Sequence, residues 1–200
     1  MILRFILYSI LKNLRFSAPF FGIYLLEARF TYAEIGVILG CQQMVTAVLE
    51  IPSGVGADRW GRRRVLMVSF GCHAAGLAVL ALQTQNAVPS VLWLLAGASI
   101  YGVGEALRTG SHKAIMLDYL DSSGQSDRAT AVLALTRTFS KASSALAGLV
   151  AGAILFFSGD YAVLFWSSAV AAAAGCVLMA SYPRYLEGET RRAAAAGQLR

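Results

Sequence analysis

The sequence contains few charged residues. Only 14% of its 200 residues are Asp, Glu, Lys or Arg, whereas 57% are hydrophobic and the mean hydropathy is +0.61. Soluble domains contain about 25% charged residues and about 45–50% apolar residues, so this chain cannot cover a water-facing surface of its size. An intrinsically disordered chain is also excluded, because disorder requires low hydrophobicity and high net charge.

Cysteine and histidine are scarce as well, with three and two residues respectively. Cys41, Cys72 and Cys176 form neither a C-x-x-C pair nor a Cys/His ligand spacing, which excludes a disulfide scaffold and a zinc centre of known spacing. We interpret them as small buried hydrophobic residues. The sequence also lacks a nucleophile–base constellation and a phosphate-binding loop. We therefore expect no enzyme activity, no cofactor and no metal.

Long apolar runs, in contrast, are abundant. Residues 65–82 and 161–182 contain no charged side chain, and each run is long enough to cross a hydrocarbon core of about 30 Å as a helix. Their apolar character is continuous, which indicates buried helices rather than half-exposed strands. The sequence predicts an all-α membrane protein with one domain at 1–183 and a polar cytoplasmic tail at 184–200. Its six transmembrane helices are predicted at about 5–28, 33–53, 64–84, 90–118, 128–157 and 160–182.

The basic residues indicate how the helices are oriented. They fall at one side of the predicted bundle, whereas the connections of the other side carry one basic residue, Arg29. By the positive-inside rule, both termini are predicted to be cytoplasmic, in a plasma (bacterial inner) membrane. This rule also explains the net charge of +6 without a nucleic-acid partner. The residues of the basic side are Arg4, Lys12, Arg15, Arg59, Arg62, Arg63, Arg64, Arg108, Lys113, Arg128, Arg184, Arg191, Arg192 and Arg200.

The most specific motif lies between the second and third predicted helices. It begins at Gly54 and reads G-V-G-A-D-R-W-G-R-R-R. Gly54 and Gly61 allow a tight turn, and Asp58, as the single acid among four arginines, is expected to pair with one of them or to lie near a helix N-terminus. A structural turn in a basic cytoplasmic loop explains these residues equally well.

The run resembles the loop 2–3 signature of the major facilitator superfamily, G-x-x-x-D-[RK]-x-G-x-[RK]-[RK]. The preceding residues 50–54, E-I-P-S-G, and residues 105–118 are similar to patterns of the drug-efflux-like members. A further helix 4 signature of that family begins with arginine, and here its position is occupied by Ala98. The resemblance extends over roughly residues 8–183 and implies the N-terminal six-helix half of a twelve-helix transporter.

The resemblance implies a gating role for the loop 2–3 motif, which latches the cytoplasmic face of such transporters. The matching positions are Gly54, Asp58, Arg59, Gly61, Arg62 and Arg63. It also implies a half-size secondary transporter for the efflux of a small molecule, coupled to protons. Such a half would need a homodimer or a separate C-terminal half. The alternative is a truncated, non-transporting protein of this family, or an accessory membrane subunit.

Polar residues recur on single faces of the predicted helices, and ionisable groups at membrane depth tend to face a cavity or a partner. On the second predicted helix, one face carries Gln43, Thr46, Glu50 and Ser53. On the fourth, one face carries Tyr101, Glu105, Arg108 and His112. We expect these faces to converge on a polar cavity in which Glu50 and Glu105 carry protons. Interhelical charge pairing is the open alternative. The candidate cavity residues are Glu50, Glu105, Arg108, Gln43, Tyr101, Arg137 and Arg15.

Overall fold

The computed structural model describes residues 1–86, 88–109 and 111–183, apart from the side chain of Asp58. These ranges are helical and contain no strand, which confirms the all-α prediction. The predicted tail at 184–200 lies outside the described residues. The α-helices are α1 (Ile2–Leu11), α2 (Phe21–Glu27), α3 (Tyr32–Trp60), α4 (Arg62–Thr84), α5 (Val91–Arg108), α6 (Ser111–Ser122), α7 (Ala129–Ser158) and α8 (Tyr161–Ala180), with 3-10 turns at Ala18–Phe20 and Ser126–Arg128.

Local sequence determines where several helices begin and end. Helix α3 begins at a capping box, in which the Glu34 amide donates to Thr31 Oγ1 (3.3 Å) and the Thr31 amide donates to Glu34 Oε2 (2.8 Å). Helix α8 begins after Asp160, whose Oδ1 accepts from the Ala162 amide at 2.7 Å. Helix α7 ends before Gly159, which adopts the left-handed conformation (φ 63°).

Helix α4 lies at the centre of the bundle. It packs on α5 and α8, α5 packs in turn on α3, and α1 packs on α7 and α8. Helices α4 and α5 approach closely at Gly76, where a Cβ atom would lie 2.8 Å from the carbonyl oxygen of Gly97 and from the amide nitrogen of Tyr101. Small residues at such contacts are typical of membrane helix packing. Phe70 of α4 and Phe165 of α8 belong to the buried core.

The first and fourth predicted helices are each interrupted. The continuous helix predicted at 5–28 is wrong, because α1 ends at Leu11 and regular helix resumes only with the 3-10 turn at Ala18–Phe20 and α2. Proline in the first turn of that 3-10 segment suits a helix start. The continuous helix predicted at 90–118 is also wrong, because α5 ends at Arg108 and Thr109 is extended (ψ 127°) before α6.

The second predicted helix is longer than expected. It was placed at 33–53, but α3 continues to Trp60 with Pro52 inside it. The predicted turn at Gly54 is therefore wrong, and Gly61 makes the connection to α4 by itself (φ 95°, ψ 127°). Gly54 does not end the helix, because glycine is tolerated inside helices that are embedded in a bilayer.

Four helices in the described ranges are long and apolar enough to cross a membrane: Tyr32–Ala57, Arg62–Thr84, Ser126–Ser158 and Tyr161–Ala180. This supports an integral membrane protein. The apolar helices Ile2–Leu11 and Ala18–Glu27 are shorter, since about 20 helical residues are needed to cross a hydrocarbon core of about 30 Å. The first predicted crossing therefore consists of two short helices in sequence.

Candidate functional site: an ion-paired carboxylate between two cavities

Glu105 lies at the centre of a charged cluster inside the bundle. Its Oε1 accepts from Arg15 Nη2 and its Oε2 accepts from Arg108 Nη2. The His73 Nε2 atom lies 3.5 Å from Glu105 Oε1. The Glu105 side chain is only 16% exposed, so these contacts replace most of the water that would otherwise solvate the carboxylate.

Three separate elements bring the cluster together. Glu105 and Arg108 are three residues apart on α5 and so share a helix face. Arg15 comes from the non-helical segment at 12–17, and His73 comes from α4. Gly104 allows the close approach of α4, because a Cβ atom there would lie 2.9 Å from both the His73 Cδ2 atom and the Ser69 carbonyl oxygen.

The charges of the cluster do not balance. One carboxylate faces two guanidinium groups, which remain protonated at accessible pH. The cluster therefore keeps Glu105 ionised and carries an excess positive charge when His73 is neutral. Among the described residues, no group of three His, Cys, Asp or Glu side chains has the arrangement of a metal site.

A first cavity, of 170 Å³, opens beside Arg15 and Tyr101. The Arg15 Cζ atom lies 5.7 Å from the centre of the Tyr101 ring, within the range of a cation–π contact. Gln42 and the aromatic side chains of Phe21 and Phe165 complete much of the wall. This cavity therefore combines a largely apolar wall with one cation.

A second cavity, of 210 Å³, opens on the other side of Arg108. It lies between α1, α6 and α7, and its wall is richer in polar groups than that of the first. The basic residues that line it are Lys12, Arg108, Lys113 and Arg137. The charged cluster thus lies between two cavities of different polarity.

The structure brings together part of the predicted cavity set. Arg15, Tyr101, Glu105 and Arg108 meet in the charged cluster, and Arg137 lines the second cavity. Glu105 is paired with arginines in the structure, and charge pairing was the alternative to a proton-carrying role for this residue.

The predicted polar face of α3 is divided. Gln43 and Glu50 are exposed and lie outside the cluster. Thr46 Oγ1 instead donates to the Gly102 carbonyl at 3.1 Å, and Ser53 Oγ donates to the Ala106 carbonyl at 2.8 Å. The face of α3 that packs on α5 therefore differs from the face that carries Gln43 and Glu50.

Residues of the loop 2–3 motif bind to other helices of this chain. Arg62 Nη1 pairs with Asp118 Oδ2 on α6 at 2.5 Å. Arg63 donates to the carbonyl oxygens of Met179 (3.1 Å) and Ala180 (2.6 Å), at the C-terminal end of α8. Arg59 is exposed at the end of α3, and the Asp58 side chain, which was predicted to pair with one of the arginines, lies outside the described residues.

His73 and Lys12 were missed as site residues by sequence reasoning. His73 is the only ionisable side chain besides Cys72 in the apolar run 65–82, and a lone histidine in such a run is typical of a core position. It is a core position, since His73 is only 5% exposed, but it also faces Glu105. The signal that was available is the spacing of Ser69 and His73, which places both on the face of α4 that packs on α5.

Comparison with known families agrees with the helical architecture. The family model described as Major Facilitator Superfamily matches residues 2–199. No curated protein matches the chain at a significant level. The family match covers nearly the whole sequence, and it includes every helix described above. The chain is therefore a member of the Major Facilitator Superfamily, a family of membrane transporters rather than enzymes.

Proposed function

We propose that this chain works as one six-helix half of a secondary transporter that expels a small molecule in exchange for protons. The observation that carries the proposal is the charged cluster: Glu105 is shared by Arg15, which lines the first cavity, and Arg108, which lines the second. Intramembrane ionisable groups are costly and usually serve transport or proton relay. The gating role of Gly54, Asp58, Arg59, Gly61, Arg62 and Arg63, and the drug-efflux-like branch, are part of the same proposal.

Six membrane crossings follow if the interrupted helices each count as one. Helices α1 and α2 then form the first crossing, and α5 and α6 form the fourth. Broken helices are tolerated at membrane depth where they are buried in protein or line a cavity, and the segment at 12–17 lines cavities through Lys12 and Arg15. With the basic connections on the inner side, both termini are cytoplasmic in a bacterial inner membrane.

A second half is needed to close the path. In α3 only 6% of the apolar stretch is buried, and in α7 only 17%. Helix α3 exposes Gln43 and Glu50, and α7 exposes Lys141. Charged groups facing lipid are costly, so we infer that these faces meet a second half, either another copy of this chain or a different one. Alternating access then rocks the two halves against each other.

Proton coupling follows from competition for the arginines. While Arg15 and Arg108 both bind Glu105, the carboxylate stays ionised. When a conformational change or a ligand withdraws one guanidinium group, Glu105 loses that compensation in a partly dry site and takes up a proton. Glu50, exposed on α3, is a second candidate that would act at the contact between the two halves.

The first experiment is native mass spectrometry of the purified chain from nanodiscs. We expect a defined dimer, or a complex with a second chain when the protein is isolated from its native membrane. A strict monomer in both preparations would contradict the requirement for a second half and would favour the alternative of a non-transporting or accessory protein.

The second experiment measures transport in proteoliposomes that contain a pH-sensitive dye. Ethidium and a fluorescent carboxylate are the probes, and an imposed pH gradient is the driving force. We expect probe movement accompanied by proton flux, with the flux abolished in Glu105→Gln. Only variants that elute as folded particles are compared. Probe movement that is independent of the gradient would contradict proton coupling, and no movement of either probe in a confirmed complex would contradict efflux of these two ligand classes.

A further inference from the structure

The second cavity contains an excess of positive charge. Four basic side chains line it, from Lys12 after α1, Arg108 at the end of α5, Lys113 on α6 and Arg137 on α7. Among the residues that the structure describes, its lining includes no aspartate and no glutamate. Four different segments of the chain thus each contribute one basic residue to the lining of this cavity.

Most of this charge has no carboxylate partner. Within the described ranges, Arg108 is the member of the four that forms an ion pair with an acid, through its Nη2 atom to Glu105. The Arg108 Nε atom is buried and has no hydrogen-bond partner. The Lys12 Nζ atom lies 5.9 Å from the centre of the Tyr8 ring, a contact that attracts a cation without neutralising it.

The cavity also offers neutral donors. Ser140 Oγ on α7 accepts from Asn13 Nδ2 at 2.6 Å, so its own hydroxyl hydrogen is available to a ligand in the cavity. This bond joins the end of α1 to α7 and fixes the distance between Lys12 and the wall that carries Arg137. His112 lines the opposite wall, with its ring stacked on Tyr8 at 3.4 Å between ring centres.

We propose that this cavity binds the oxyanion group of a small molecule, a phosphate or a carboxylate, with Lys12, Arg108 and Arg137 as its charged ligands and Ser140 as a neutral donor. Charge-assisted bonds from several cations compensate an oxyanion best where water is partly excluded. At about 30 Å³ for each water molecule, the volume of 210 Å³ is sufficient for about seven waters, and hence for phosphate or a short carboxylate. The first cavity, with its largely apolar wall, lacks this set of cations.

Arg108 connects this binding site to the charged cluster. Arg108, which donates to Glu105 through Nη2, also lines the second cavity. A bound oxyanion therefore competes with Glu105 for Arg108. This coupling rests on the proposed function, whereas binding itself does not, so the test measures binding without transport.

The test is isothermal titration calorimetry of the purified chain in neutral detergent with inorganic phosphate and with succinate. We expect saturable binding of at least one probe. Arg137→Gln and Lys12→Gln should each weaken it about tenfold, the loss of one charge-assisted contact. The matched control is Lys141→Gln, because Lys141 is an exposed cation one turn further along α7 and does not line the cavity. We expect it to bind as the unchanged protein does.

The source of the oxyanion is identified in a second arm. The chain is placed in nanodiscs of phosphatidylcholine alone or with phosphatidylglycerol, and the titration is repeated. Phosphate or succinate binding that persists in both membranes assigns the site to a soluble anion, and binding that is lost only with phosphatidylglycerol assigns it to the lipid phosphate. Absence of binding in detergent and in phosphatidylcholine nanodiscs would overturn the proposal, as would an equal weakening by Lys141→Gln. Either result leaves the proton-flux assay of the charged cluster unaffected.

Discussion

The centre of the bundle and its two flanking helices are built differently. Half of the apolar stretch of α4 and half of that of α8 are buried, compared with 6% of α3 and 17% of α7. The centre is closely packed, because Gly76 and Gly175 admit neighbouring helices, and it also contains the charged cluster around Glu105. The flanking helices instead expose both apolar and polar residues. This fold therefore stabilises a core while leaving two long helices incompletely covered.

The largest expected difference in stability is between variants of Glu105 and Glu50, the two acids that are predicted to carry protons. Glu105→Gln leaves Arg15 and Arg108 without their shared counter-charge, and removing one partner of a buried ion pair costs about 3–5 kcal/mol. Because Arg15 is 34% exposed, we expect the low end of that range. Glu50→Gln, on the exposed face of α3, should change the stability by less than about 0.5 kcal/mol.

Thermal unfolding in detergent, followed by the fluorescence of a cysteine-reactive dye, measures both variants. Equal effects of the two substitutions would show that the charged cluster contributes no more to stability than an exposed acid does. Charged residues at the centre and on the flanking helices would then not differ in their contribution to stability.

A smaller effect is expected from one added methyl group in each region. Gly76→Ala places a Cβ atom 2.8 Å from backbone atoms of α5, and overpacking of this kind costs about 1–3 kcal/mol. Gly40→Ala in α3 meets nothing within 4 Å and should be neutral, or stabilising by up to about 1 kcal/mol from helix propensity. The same unfolding assay compares them. Destabilisation by Gly40→Ala would reveal a neighbour of α3 in the assayed particle.

The smallest effect concerns the connection between α3 and α4. Gly61→Ala forces a side chain onto a backbone with φ 95°, a strain of about 1–2 kcal/mol. Gly54 lies within α3, before this connection. Nothing lies within 4 Å of the atom that Gly54→Ala would add. We expect a lower unfolding temperature for the first variant only. If Gly54→Ala is the more harmful of the two, the turn lies where the sequence placed it, and α3 is shorter than described.

Sequence reasoning predicted the helices better than their interruptions. Hydropathy identified α4, α7 and α8 to within two or three residues, because a continuous apolar run has few alternatives in a bilayer. It did not find the break after Leu11, since the apolar residues on either side of Lys12 and Arg15 continue across it. The interruption depends on contacts such as that of Ser17 with Ser168, 151 residues away, and no local pattern reports such a contact.

The candidate site was predictable to a similar degree. The spacing of Tyr101, Glu105 and Arg108 places them on one helix face, and the structure brings them together. The periodicity of Gln43 and Glu50 is equally regular, yet α3 turns Thr46 and Ser53 toward α5 instead. A helical period identifies residues that share a face, but packing against a particular neighbour decides which direction that face takes.

The non-helical segment at 12–17 touches both cavities. Arg15 lines the first, Lys12 lines the second, and both line the narrow space between them. One short stretch of backbone, which lacks the continuous hydrogen-bond ladder that stiffens a helix, therefore serves as a shared partition. A displacement of this segment would change the walls of both compartments at once, because its residues line both.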